Sequence, residues 1–267
     1  MHPFDEDLVL ESENPGVFTT TVSSNWSING NPNGGYLLAL AANAMHRESG
    51  KHATPILTAN YIARSRPGEA VDCRVEKIAQ SRQFSRLEVR LEQNARETMR
   101  AIGTFTDPVD AASCAIKRYE SPPPAVAAKK DCIAIPQMPK YTLYDHMDVR
   151  IDPACAGWME NRFAEKSEHR GWIAFKQERP YDICALTLVV DAFPPAVFAT
   201  QGAMAWVPTV ELTVSIRNIP ATRWLKCVFR TRFISCGVLE EDGQVWDEND
   251  ELAAVSRQIA LFRPARG

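Results

Sequence analysis

Asp191 is the residue of this chain that most invites a chemical reading. It follows the apolar run Ala185-Leu-Thr-Leu-Val-Val190, which has no lysine or arginine, and it precedes Phe193-Pro194-Pro195. Asp is a poor residue inside a helix, and a negative charge near a helix C-terminus opposes the macrodipole. Residues that break local rules in this way cluster at functional sites. The plainer alternative is that Asp191 begins the turn at Phe193-Pro194-Pro195, since Asp favours turns. A carboxylate placed among apolar groups becomes more basic, and the chemistry open to it is acceptance of a proton.

Asp191 needs elements to position it. The spacing predicts two apolar helices, one over 36–46 and one over 182–193. The first opens from the turn-rich Asn29-Gly-Asn-Pro-Asn-Gly34-Gly35 and is apolar almost all round, so most of its surface should be buried. Residues 16–28 are β-branched and aromatic and read as a strand. Further strands are expected near 54–65, 70–80, 83–94 and 98–106. In the third of these, Leu87, Val89 and Leu91 alternate with Glu88, Arg90 and Glu92, the pattern of a half-exposed strand. After the second helix, strands are expected near 207–217, 223–234 and 252–263, with two more at 146–151 and 171–178 before it. A buried helix followed by antiparallel strands implies an α+β layer in which a sheet wraps a helix.

The plan occurs twice. Leu37-Leu-Ala-Leu-Ala-Ala-Asn43-Ala44 aligns without gaps with Ala185-Leu-Thr-Leu-Val-Val-Asp191-Ala192, and Arg100-Ala101-Ile102 aligns with Arg257-Gln258-Ile259. We read an N-terminal repeat over 1–107, a linker over 108–143 marked by Ser121-Pro-Pro-Pro124 and Pro136-Gln-Met-Pro139, and a C-terminal repeat over 144–267. The copies differ where chemistry is possible: Asp191 and Gln258 stand against Asn43 and Ala101. One copy doing chemistry while the other serves as scaffold would produce such an asymmetry, and so would drift at exposed positions.

Composition narrows the function. The net charge is −3, with 30 basic and 33 acidic residues well mixed, which lacks the basic stripe of a nucleic-acid binder. No apolar run reaches the length of a membrane span, and the acidic start is unlike a secretory signal. Seven scattered cysteines, never spaced Cys-x-x-Cys, suit a reduced, cytoplasmic protein. There is no Gly-x-Ser-x-Gly elbow, no phosphate-binding loop, no dinucleotide fingerprint and no metal-ligand spacing of histidines. No cofactor and no metal are expected.

The ordered fragments Asn33-Gly34-Gly35, Tyr61-Ile-Ala-Arg-Ser-Arg66-Pro67-Gly68, Arg82-Gln83-Phe84, Leu188-Val-Val-Asp191, Pro208-Thr209-Val-Glu-Leu-Thr213 and Ser256-Arg257-Gln258 resemble those of the double-hotdog acyl-CoA thioesterases (the type II group) over nearly the whole chain. The resemblance implies a tandem hotdog fold, hydrolysis of acyl-CoA in fatty acid metabolism, further association of copies into a homo-oligomer, and a water-activating set of Asp191, Thr209 and Gln258. Thr213, two strand steps from Thr209, is the alternative for the threonine. Where some members carry an Asp–His pair after the threonine, this chain has Val210-Glu211-Leu212, so substrate preference does not transfer. Gly34 and Gly35, at a helix start with free N–H groups, would receive the thioester carbonyl. Two other readings stay open at this stage. A hotdog hydratase or dehydratase would need a histidine, and none lies in sequence near the second helix or the final strand; a non-catalytic acyl-CoA or acyl-carrier binding module would retain the pocket alone.

Overall fold

The alternating stretch expected at 83–94 is a strand over Phe84–Gln93, with Leu87, Val89 and Leu91 fully buried and the charged residues between them turned outward. The structure, a computed structural model, describes residues 1–107, 117–203 and 207–263; the start of the expected linker, 108–116, lies outside the described residues, and Cys114 with it.

Numbered along the chain, the long elements of the first half are β1 (Val17–Thr21), α1 (Gly34–Ser49), β2 (Ala53–Tyr61), β3 (Ala70–Gln80), β4 (Phe84–Gln93) and β5 (Arg96–Thr106). Those of the second half are β6 (Met147–Ile151), β7 (Ser167–Phe175), α2 (Ile183–Val189), β8 (Thr209–Ile216), β9 (Leu225–Thr231), β10 (Val238–Trp246) and β11 (Leu252–Leu261). The strands form one antiparallel sheet, ordered β1-β3-β4-β5-β2 in the first half and β7-β9-β10-β11-β8 in the second. One topology is thus used twice. The halves join where β2 pairs with β8, so the sheet runs unbroken across the seam. β6 extends the second half beyond β7, and the short strand Glu11–Asn14 extends the first beyond β1. This is the α+β double hotdog that the sequence implied.

α1 begins at Asn33, whose side chain accepts the Tyr36 N–H at 3.0 Å, and ends at Gly50 in the left-handed conformation. Both are the residue types those caps favour. Between them Tyr36 to Ala42, Ala44 and Met45 are buried, as an all-apolar helix requires. α1 lies across β3, β4 and β5 and packs against α2. Asn43, on the remaining face, donates to Leu8 O at 2.8 Å and ties down the N-terminal segment.

Several expected bounds shift. α2 covers only Ile183–Val189 and not 182–193: after Val190 the bonds tighten to Asp191 N–H on Leu188 O and Ala192 N–H on Val189 O, and Pro194 and Pro195 follow in a turn. The stretch 16–28 holds β1 and a separate two-residue strand, Ser27–Ile28, paired with Asn31–Pro32. β10 lies outside the expected strands; outward Asp242 is matched there by Arg257 and Arg232. Within the expected linker, Ile133–Ala134 pairs with β6 and Ala127 O accepts the Trp172 indole N–H at 2.9 Å. His46, in the last turns of α1, stacks on Phe105, and burial lowers its pKa. Cys73, Cys132, Cys155, Cys184, Cys227 and Cys236 are unpaired. No helix among the described residues is long and apolar enough to cross a membrane.

The two helices meet at Gly35. A Cβ there would lie 2.6 Å from Thr187 O and 2.9 Å from Asp191 Cβ, closer than packed atoms approach. Gly35→Ala is therefore expected to push α1 from α2 and to destabilise the protein by about 1–3 kcal/mol, read as a lowered urea midpoint.

Candidate active site

The close approach at Gly35 brings the end of one repeat's helix against the start of the other's. Asp191 is not inside α2 but in the turn just after it, its N–H given to Leu188 O at 3.1 Å. Its carboxylate points across the seam to the start of α1. Asp191 Oδ2 accepts the Gly35 N–H at 2.8 Å and the Asn33 side-chain N–H at 3.0 Å, and Asn33 also donates to Asp191 O at 2.7 Å. The positive end of α1 thus faces a negative charge, the favourable arrangement. Tyr61, at the end of β2, donates its hydroxyl to Gly34 O at 2.7 Å. Burial, with the Asp191 charge beside it, holds the Tyr61 hydroxyl well above its ordinary pKa, so it remains a donor.

The other carboxylate oxygen faces the last strand. Gln258 Nε2 donates to Asp191 Oδ1 at 3.0 Å and also to Thr209 Oγ1. Thr209 reaches that position through a one-residue bulge. The β8–β11 register shifts between Thr209 and Glu211, so Thr209 pairs with Ala260 whereas Glu211 pairs with Ile259. A bulge turns the side chain to the opposite face. Without it Thr209 would point outward with Glu211 and Thr213. Thr213 instead meets Thr58 across the seam, hydroxyl to hydroxyl at 3.1 Å. The structure therefore brings Asp191, Thr209 and Gln258 together with Gly34 and Gly35, and leaves Thr213 apart.

Asp191 keeps some solvent exposure as a residue while its carboxylate is enclosed by protein. Burial pushes the carboxyl up to about 6, against the lowering pull of the Gly35, Gln258, Gly34 and Asn33 donors. The group is mostly ionised near neutral pH and basic enough to accept a proton.

Asn33 and Tyr61 have no role in the sequence reading, and two more residues near the site escape it. Glu241, on β10, is buried beside Gln258; polar–apolar alternation cannot flag a carboxylate on an inner face. His169 comes close only through folding: its Nδ1 lies 3.0 Å from Pro194 O, in the turn that leaves Asp191. Burial holds it down to about 4, and its Nε2 has no partner among the described residues. Among those residues no cluster of His, Cys, Asp and Glu could hold a metal.

Among the described residues the arrangement occurs once. Asp191 is the ninth residue after the N-cap Asp182, and the ninth after the N-cap Asn33 is Ala42 rather than Asn43. Ile183 and Cys184 stand at the start of α2 where Gly34 and Gly35 open α1.

Two hotdog repeats with one polar site between them define a double-hotdog protein of the thioesterase type. Family models agree: the acyl-CoA thioesterase N-terminal domain matches residues 22–106 and the acyl-CoA thioesterase C-terminal domain matches 121–262. The chain belongs to the acyl-CoA thioesterase family. Among solved structures it is similar to a Thermobifida fusca YX protein proposed to be a thioesterase II, with a TM-score of 0.89 and 24% identity over 98% of both chains. A hot-dog-fold protein of Alicyclobacillus acidocaldarius superposes with a TM-score of 0.88 at 19% identity over 100% of both chains. For an acyl-CoA thioesterase II of Mycobacterium marinum the values are 0.77 and 17% over 99% of both. At these identities the likeness is one of fold. No match is found among curated proteins.

The raised Asp191 pKa has a consequence for stability. Between the ordinary carboxylate value of 3.8 and about 6 the folded protein holds a proton that the unfolded chain has released. Unfolding free energy should therefore fall as pH rises through that window, by up to ~1.4 kcal/mol per pH unit from this group. Asp191→Asn should remove this contribution, flattening stability against pH in urea titrations.

Proposed function

We propose that the protein hydrolyses acyl-CoA thioesters, with Asp191 activating the attacking water. The observation that carries the reading is the Asp191 carboxylate held between Gln258 of one repeat and the α1 start of the other. A thioester carbonyl is electrophilic and thiolate leaves readily, so an oriented water suffices. Gln258 gives its amide hydrogens to Asp191 and Thr209, leaving the Thr209 O–H free to hold that water against Asp191 Oδ1. Asp191 takes the water proton as oxygen attacks the carbonyl carbon; the C–S bond then breaks, and the proton passes to the departing thiolate.

Carbonyl polarisation falls to the start of α1. Gly35 N–H is engaged by Asp191 in the free protein. Once Asp191 gains a proton its hold on that N–H weakens, and the developing oxyanion becomes the better acceptor. Gly34 and Gly35, lacking side chains, leave room for the thioester. In this reading 1–107 and 144–267 are the working repeats and 108–143 their connection, and the unpaired cysteines suit a reducing cytoplasm.

The chemistry of the thiol carrier has its own support. A groove of about 450 Å³ beside the loop after Tyr61 is lined by Arg64, Arg66, Arg96 and Glu69; Glu69 pairs with Arg66 at 3.4 Å, and Arg64 and Arg96 are the guanidinium groups suited to the phosphates of a CoA nucleotide.

The first test follows thiol release from acyl-CoAs of short, medium and long chain. Asp191→Asn should lower kcat about 10²–10⁴-fold, with the variant shown to be folded. Equal rates for the two would remove the general-base role. Saturable binding of acyl-CoA without turnover would instead make the protein a binding module. Arg64→Ala with Arg96→Ala should raise KM for acyl-CoA roughly tenfold, about the loss of 1.4 kcal/mol. An acyl thioester of a short thiol lacking the nucleotide should show little change.

A further inference from the structure

Glu241 is a second carboxylate at the site, and water activation by Asp191 leaves it without a task. It lies on β10 opposite Gln258 in register, turned with Leu239 and Val245 to the buried inner face. Its Oε2 accepts the Ala196 N–H at 2.5 Å. Ala196 belongs to the turn that leaves Asp191, and His169 holds that turn elsewhere through Pro194 O. Glu241 therefore touches the chain behind Asp191 and stands beside Gln258, the two partners of the central hydrogen bond.

The other repeat shows what this place holds without a site. With Ala101 matched to Gln258, the β4 residue paired with Ala101 is Val89, and both are buried. The catalytic repeat replaces that apolar rung with Glu241 and Gln258. A buried carboxyl group is costly unless its polar atoms are used.

Gln258 supplies the use. Its Nε2 donates to both Asp191 and Thr209, so Oε1 faces away from them. Turned end for end, the amide would set its oxygen against the carboxylate. We propose that Glu241 is a positioning residue that works as the neutral acid: it accepts the Ala196 N–H to fix the turn carrying Asp191, and donates its own O–H to Gln258 Oε1 to fix the amide. The consequence for turnover rests on the hydrolase reading above; the protonation state does not.

The surroundings favour the neutral form. The charges acting on Glu241 are those of Asp191 and its neighbour Glu240, both negative. The flanking inner-face residues of β9 and β11, Phe229, Thr231, Ser256 and Gln258, do not titrate, and His169 is neutral. Burial above all pushes Glu241 up to about 8. Above that pH the O–H is lost and a second negative charge appears beside Asp191.

The test compares Glu241→Gln, which keeps an acceptor and a donor without charge, with Glu241→Ala. Glu241→Gln should keep kcat within about threefold near neutral pH, whereas Glu241→Ala should lose about 10–100-fold with KM little changed, as small misplacements of reacting groups do. Wild-type kcat should decline above about pH 8 as Glu241 ionises, and Glu241→Gln should not share that decline. Wild-type kcat in Glu241→Ala, or equal losses in both variants, would overturn the proposal. A second readout, the carboxyl NMR titration of Asp191, needs no turnover and so separates this proposal from the hydrolase reading. An unchanged Asp191 midpoint in Glu241→Gln supports a neutral Glu241. A lowered midpoint means that Glu241 is already an anion when Asp191 titrates, and overturns it.

Discussion

The structure depends on one carboxylate shared by two repeats. Asp191 ends the α2 segment of the second repeat, yet its strongest backbone donor, Gly35 N–H, opens the helix of the first. A charge enclosed this way is tolerable only when donors surround it. Asn33 and Gly35 at the start of α1 and Gln258 on β11 provide them from two separate segments. Each segment is in turn constrained. Gly35 must lack a side chain so the helices can touch, and the β2–β8 pairing must hold the two repeats in one fixed relation.

The same constraint explains why duplication leaves a single site. The seam has approximate symmetry, so a second site would need a carboxylate nine residues after the α1 N-cap, facing a glycine pair at the start of α2. Ala42 and Ile183-Cys184 stand there instead, and Val89–Ala101 fills the rung occupied by Glu241 and Gln258 in the other repeat. The first repeat contributes a helix terminus, a tyrosine and a packed apolar core. The second contributes the titrating groups. Division of labour of this kind lets the long α1 stay apolar and well capped while α2, seven residues long, gives up helix length to place Asp191 in a turn.

Much of this was legible in the residues. Strict alternation in β4 revealed a half-exposed strand, the all-apolar α1 revealed a helix buried on most sides, and the repeated order of elements revealed the duplication. Asp191 could be picked out because a carboxylate beside six apolar or small residues and a proline pair contradicts local preference. Asp191 stands in a turn, and its carboxylate points across the seam to the start of α1. Glu241 was hidden because an acidic stretch looks like a loop until the strand pairing shows that one of its carboxylates faces inward. His169 was hidden because it is adjacent only in space.

The sequence by itself determined the fold class, the two repeats and the identity of the groups able to titrate, because these follow from periodicity, capping chemistry and side-chain type. Tertiary structure alone decided which groups meet. A bulge between Thr209 and Glu211 chose Thr209 over Thr213 by reversing which face it occupies. Pairing of β10 with β11 put Glu241 beside Gln258, and the seam put Gly35 against Asp191. Register and helix contact are set by long-range packing, and a one-residue slip exchanges the faces of a strand, so no local pattern along the chain could have chosen among them.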